Sequence, residues 1–415
     1  MAIMEYLNPA RAPYTARDRA LIGVEHALQA RARFARHPRY RPTPVHVVEG
    51  LGGAGAAYIK DESGRMGLGS FKALGGAYAV HLLAERDGGY ASGGEGHGGE
   101  GHAGAPFVCA SAGNHGISVA AGAAEVGAPC VVYLSRTVPE AFAQRLRDLG
   151  AEVRRSGQDY EESMAAALAA SQRHGWRLVA DSSWDGYTDV PLDVMRGYGV
   201  LLDELADPGA PPPPEHPTGP PKPPHGGPPD PPGTSGAAPG GAPGGESPGG
   251  AEGRTEGGAG GVFGRVGPTH VFVQAGVGGL AAAAAGYVRD RWGEQPKIVV
   301  VEPEGAPCLL ESARAGRPVR VDRGSTTLGR LDCREPSLLA HRLLHHLADL
   351  YLTITDEQAA GAARLLATHG VNLSDCGAAG AAGLLALDDP GRAALTLDDA
   401  SRVLLVGTEG TVEPK

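Results

Sequence analysis

Apolar and polar positions along this chain follow two alternating periods. Short, mainly apolar runs read as strands: "AAYIKDE", "PFVCAS", "PCVVYLS", "AEVRRSG", "RLVADSS", "THVFVQA", "KIVVVEPE", "LYLTITDE" and "RVLLVGT". Between them apolar residues recur at helical spacing, which predicts helices over 72–86, 115–127, 138–149, 160–174, 191–205, 279–292, 307–315, 356–369 and 377–387. Strand followed by helix, repeated along the chain, predicts an α/β protein with open, mainly parallel sheets. Ligands in such sheets bind at the carboxyl ends of the strands, so the loops leaving the strands are where chemistry is expected.

Two stretches break the pattern. Residues 87–105 are rich in Gly, His and Glu, and residues 207–261 in Pro and Gly; together they hold much of the chain's excess of glycine (65) and proline (34). Neither carries an apolar period, so neither buries enough apolar area to offset chain entropy, and both read as disordered insertions. His97 and His102 read as solvated residues of the first tract. The run "PPPPEHPTGPPKPP" (211–224) has polyproline II chemistry, which keeps a non-enzymatic scaffold or binding role open.

Composition narrows the classes. With 415 residues, 42% of them hydrophobic, the chain can bury a real active site. A net charge of -10 and a pI near 5.8 exclude the basic footprint that nucleic acid requires. No apolar run reaches the roughly 18 residues of a membrane span, and the N-terminus lacks a secretory apolar region, so no membrane partner and a cytoplasmic location are expected. Five cysteines without CxxC spacing fit neither a disulfide scaffold nor a zinc site, although a Cys308–Cys333 pair stays open. His341 and His345 share a helical face that reads as solvated; no metal is expected.

Three strand-to-helix loops carry chemistry. In "MGLGSFKALGGAYAV" (66–80), Lys72 stands at the start of a helix whose small residues imply close packing against another backbone. A surface lysine that snorkels to water is the bland reading; a desolvated lysine with a lowered pKa, able to form a Schiff base, is the other. In "THVFVQAGVGGLAAAAAGYV" (269–288), Gly276, Val277, Gly278 and Gly279 open a helix and point backbone amides at an anion, most simply a phosphate. Glu302, which ends the next strand, keeps a nicotinamide-dependent oxidoreductase open as a rival. In "VCASAGNHGISVAAGAA" (108–124), Ser111, Gly113, Asn114 and Gly116 suit a carboxylate or a phenolic oxygen, or form an ordinary turn. Together the lysine, the Asn-bearing turn and the glycine loop describe a site for an aldehyde-bearing phosphate cofactor, pyridoxal 5′-phosphate.

The order "SFKALGG", "SAGNHG", "GVGGL" and "GTEG" resembles the fold-type II pyridoxal-phosphate enzymes, the tryptophan synthase β-like group. Within it, "IKDESGRMGLGSFKALGGAYA", "DSSWDGYTDVPLDVMRGYG", "TTLGRLDCREPS" and "TEGTVEP" resemble the diaminopropionate ammonia-lyases, over nearly the whole chain apart from the two insertions.

The resemblance implies two three-layer α/β/α domains with the active site between them. Residues 1–80 and 262–415 would form the larger, cofactor-binding domain, and 81–206 the smaller one. Lys72 would hold the cofactor and act as the base at the substrate Cα, with Phe71 packed beside the ring. Gly276, Val277, Gly278, Gly279 and Leu280 would wrap the phosphate, Asn114 would contact the phenolic oxygen and Thr408 would face the pyridine nitrogen. Ser111, Ala112, Gly113 and His115 would form the loop for the substrate carboxylate. Asp181 would bind the β-amino group, with Tyr187 close to the substrate. The implied reaction is α,β-elimination of 2,3-diaminopropionate, a small amino acid, to pyruvate and ammonia by a homodimer. One position departs from the family: its second loop has an Asp that serves as the base for the D-enantiomer, where this chain has Ala112. The departure implies preference for the L-form or a drift toward the substrates of the serine and threonine dehydratases.

Overall fold

The computed structural model describes residues 4–88, 104–111, 113–206, 261–322 and 324–411. Both expected insertions, with His97 and His102, fall almost wholly on 89–103 and 207–260, outside the described residues, as does Ala112. The flanks of the longer segment meet, because Phe263 N donates to Leu205 O at 3.2 Å.

The strands in chain order are β1 (Glu5–Leu7), β2 (Val45–Glu49), β3 (Ala56–Asp61), β4 (Phe107–Ala110), β5 (Cys130–Leu134), β6 (Glu152–Arg155), β7 (Arg177–Leu178), β8 (His270–Gln274), β9 (Lys297–Pro303), β10 (Leu350–Ile354) and β11 (Arg402–Gly407). A seven-stranded sheet has the order β1-β10-β9-β8-β11-β3-β2 and a four-stranded sheet the order β6-β5-β4-β7. Pairing is parallel except at the two edges of the larger sheet, where β1 and β2 run antiparallel to their neighbours. Strands β8 and β10 are buried along their whole length, as expected of central parallel strands covered by helices on both faces. The edge strands β1 and β2 were not anticipated; one is very short and both are partly exposed, so neither carries a full apolar signature. In "RLVADSS" the strand covers Arg177–Leu178, with Val179 N still donating to Val108 O at 2.8 Å, after which Ser183 is drawn to Ser337 on the larger sheet's side (Oγ to Oγ, 2.7 Å).

The Lys72–Arg86 helix packs between the Asn114–Glu125 and Asp189–Asp203 helices. Glycine sets that distance: a Cβ on Gly75 would stand 2.4 Å from Tyr198 Cε1, and one on Gly122 would stand 2.7 Å from Ala77 Cα. Among the described residues no helix is long and apolar enough to cross a membrane. All five cysteines are free, so Cys308 and Cys333 do not pair.

Candidate active site

Lys72 is the first residue of its helix, where the helix dipole disfavours a cation. Asp181, just beyond β7, supplies the counter-charge by a direct ion pair with Lys72 Nζ. The lysine also lies 5.6 Å from the Phe71 ring centroid and 5.9 Å from that of Tyr198, and these two rings meet at 4.8 Å. Burial pulls the ammonium pKa down, but Asp181 and then Tyr198 outweigh it and hold Lys72 above the ordinary lysine value. The lowered pKa expected of a desolvated lysine is thereby reversed, because the partner is an anion at contact distance. Burial pushes Asp181 up, yet Lys72 and His115 hold it well below the usual carboxylate range.

His115 lies across the same carboxylate, with Nδ1 4.0 Å from Asp181 Oδ2 and Nε2 2.9 Å from Val179 O. Burial draws its pKa down, and Lys72 offsets part of the opposing pull of Asp181, so His115 is held below the ordinary histidine value. His115 Nδ1 and the Tyr198 hydroxyl are buried without a hydrogen-bond partner, two polar groups available to a ligand.

The glycine loop leaves β8 beside this group. Gly278 has φ +97 and caps the Gly279–Trp292 helix, whose first-turn amides have no acceptor within the helix. The direction a Gly279 Cβ would take lies 3.7 Å from Tyr198 Cε2 and 3.9 Å from Asp181 O. A Cβ on Gly276 would meet Cys333 Sγ at 2.8 Å, so the loop can lie this close only as glycine. Val277 O is held by Ser337 N at 2.9 Å, and Leu280 is buried.

The second loop closes the opposite side. Ser111 Oγ accepts from Gly113 N (3.0 Å) and Gly116 N (2.8 Å) and donates to Gly113 O (3.0 Å), so this hydroxyl shapes its own turn. Asn114 Nδ2 donates to Glu409, whose carboxylate also receives Ser374 Oγ (2.7 Å) and Arg330 Nε (3.2 Å). Thr408 is buried; its Oγ1 accepts from Gln274 Nε2 at 3.1 Å, while its carbonyl accepts from Phe71 N at 3.0 Å.

Tyr187 is partly buried. It stacks on Trp184 (4.4 Å, 17°), donates to Leu178 O and accepts from Ala180 N, bracing the segment that delivers Asp181. Glu302 does not face a ribose site; its two oxygens accept from Leu309 N and Leu310 N, both at 2.8 Å, and cap the Cys308–Ala315 helix. His341 and His345 face each other with ring centroids 5.6 Å apart, and no metal-holding group of side chains occurs among the described residues. Sequence reasoning assigned no role to Tyr198, Gln274, Arg330 or Glu409. Gln274, a polar residue at the carboxyl end of an apolar strand, and Glu409, inside "GTEG", left a signal there; Arg330 reaches the site only through folding.

The donor set fits pyridoxal phosphate: an amine for its aldehyde, free helix amides for its phosphate and buried orphan polar groups around the lysine. Comparison with known proteins agrees. The family "Pyridoxal-phosphate dependent enzyme" matches residues 37–217 and 242–409. Diaminopropionate ammonia-lyase of Escherichia coli strain K12 is 30% identical over 413 residues, spanning 93% of this chain and 90% of that protein. The Salmonella typhimurium protein of the same name is 29% identical over 408 residues, 91% and 87% of the two chains. The crystal structure of the Escherichia coli enzyme in complex with D-serine superposes with a TM-score of 0.75 at 26% identity, covering 98% of this chain and 94% of that one. The chain therefore belongs to the pyridoxal-phosphate dependent enzyme family, with the fold-type II architecture, and within it to the diaminopropionate ammonia-lyases.

Proposed function

We propose that this chain releases ammonia from L-2,3-diaminopropionate by α,β-elimination, with Lys72 and Asp181 as its catalytic residues. The observation that carries this reading is the anion Asp181, partly buried and in contact with the lysine, where a substrate's β-ammonium can take the place of the Lys72 ammonium. Bound pyridoxal phosphate supplies the electron sink that acidifies the Cα–H of the attached amino acid.

Lys72 would hold the cofactor, with Gly276, Val277, Gly278, Gly279 and Leu280 available to its phosphate, Phe71 to pack beside it and Asn114 and Thr408 to bond its polar groups. Lys72, as the free amine, would take the substrate's Cα proton. The Cβ–N bond then breaks with its electron pair going to nitrogen, and Asp181 keeps that nitrogen protonated so that it departs as neutral ammonia. The enamine product hydrolyses to pyruvate and a second ammonia. Phe71, Tyr198 and the paired helices exclude water while this happens. The backbone of the Ser111–His115 loop receives the substrate carboxylate, with the Ser111 hydroxyl fixing that backbone. The support for L-selectivity is chemical: Ala112 brings no carboxylate that could act as a base on the opposite face.

The two sheets correspond, on this reading, to two domains divided at residue 80, and the active form is a homodimer in the cytoplasm. The free cysteines accord with a reducing compartment. The test is stoichiometry: L-2,3-diaminopropionate should yield two ammonia per pyruvate, and the D-form none. Turnover of L-serine or L-threonine in preference to the diamine, with one ammonia per oxo acid, would replace this reading with the dehydratase one that Ala112 leaves open.

A further inference from the structure

Outside the site lies a second group of charges that the reaction does not use. Lys60, Glu62, Arg65 and Glu204 have side-chain exposures of 0–1%. Arg65 bonds Glu62 through Nε and Nη2, both at 2.7 Å, and Glu204 through Nη1 (2.7 Å) and Nη2 (2.8 Å). Lys60 Nζ donates to Glu204 Oε2 (2.6 Å) and Thr43 O (2.8 Å). Tyr40 OH donates to Glu204 (2.8 Å), and Thr43 Oγ1 to Glu62 (2.6 Å). Two cations face two anions, so the charges balance. Burial pushes Glu204 up, but Arg65 and Lys60 hold it down at about 2, while burial pulls Lys60 below its ordinary value.

Buried ion networks add little stability over a well-packed apolar core; their best-attested use is to fix one geometry among alternatives. This one joins two elements that meet at Lys72. Arg65 opens the turn that ends in the lysine, and its next residue, Met66, is held at φ +51, a left-handed conformation unusual outside glycine; Gly67 and Gly69 follow at +73 and +87. That turn is then fixed by Phe71 N to Thr408 O. Glu204 sits at the end of the Asp189–Asp203 helix, the helix that places Tyr198 beneath the Lys72 ammonium.

We infer that Lys60, Glu62, Arg65 and Glu204 are positioning residues: locked together, they hold the strained 66–72 turn and the Tyr198 helix in the one arrangement that presents Lys72 to Asp181. The inference rests on Lys72 as the cofactor-holding base.

The test is Arg65→Lys in the full chain, which keeps the charge and loses the paired hydrogen bonds. Hydrogen–deuterium exchange of the cofactor-free protein should speed up about fivefold or more across residues 66–73, with the amides of β3 and β11 unchanged. With cofactor loaded, kcat should fall at least about tenfold while KM stays within about twofold, the mark of a misplaced reacting group. Exchange that rises equally over the whole larger sheet, or an unchanged kcat, overturns the inference. If Arg65→Lys does not fold, Thr43→Val removes only the hydroxyl that donates to Glu62 and accepts from Arg65 Nη2 (3.1 Å), and should show the same local exchange at reduced size, about twofold; no local change overturns the inference. A Lys72→Ala control separates the two readings: elimination that survives it refutes Lys72 as the base, whereas the exchange result judges the positioning by itself.

Discussion

Asp181 and Lys72 form a partly buried ion pair that joins the segment just beyond a strand to a helix start 109 residues earlier in the chain. The pair places a cation where a helix N-terminus alone would not hold one. It also keeps an amine in the site whose charge must be released before the amine can act, and a second cation at Asp181 favours that release by lowering the Lys72 pKa.

Removing one partner should cost more than removing both. Lys72→Ala leaves Asp181 partly buried without its cation and is expected to destabilise the cofactor-free protein by about 2–3 kcal/mol at neutral pH, with Asp181→Asn in the same chain recovering part of the loss. The pH dependence follows from the two shifts. The contribution of the depressed Asp181 is complete above about pH 4 and is lost as pH falls through its folded value; that of the raised Lys72 is complete below about pH 10 and is lost as pH rises. Urea denaturation at pH 3 and pH 7 checks this: the cost of Lys72→Ala should be smaller at the lower pH.

Gly75→Ala puts a Cβ 2.4 Å from Tyr198 Cε1. The expected result is a stability loss of about 1–3 kcal/mol from overpacking. Tyr198 is also displaced from beneath Lys72, so kcat should fall more than KM rises. Thermal denaturation with steady-state kinetics measures both.

Glu302 titrates in the physiological range. Burial pushes it up to about 8 in spite of the two amides it caps, so between about pH 4.5 and 8 the folded chain binds a proton that the unfolded chain does not. Stability should therefore fall as pH rises through this window, with a slope of up to about 1.4 kcal/mol per pH unit from this group, and level off above it. Glu302→Gln should remove that slope, and stability curves of the two proteins across pH 5–9 would show it.

Much of this was legible in the sequence because local signals carried it. The central strands are apolar throughout, and the Lys72 and Gly276–Gly279 loops sit at strand-to-helix junctions, where α/β chemistry is found. The pKa of Lys72 was not legible, because its direction depends on an anion brought from the far side of the chain. Ser111 and Tyr187 were legible as candidates for the substrate from their place in motifs, but the bonds their hydroxyls make to the backbone around them depend on the folded loops and were not. Tyr198 lies in an apolar helix, where an aromatic residue reads as core, and only the close approach at Gly75 brings it to the lysine.

On the proposed reading, the Asp181 carboxylate recognises the substrate's β-ammonium. The direct measurement is kcat/KM for L-2,3-diaminopropionate and for β-chloro-L-alanine, which eliminates without a β-cation, in the native chain and in Asp181→Asn. The expected result is a drop of about 30- to 100-fold for the diamine, the size of a lost charge-assisted hydrogen bond, with β-chloro-L-alanine changed by no more than about threefold. An equal loss for both substrates, or an undiminished rate with the diamine, would contradict it.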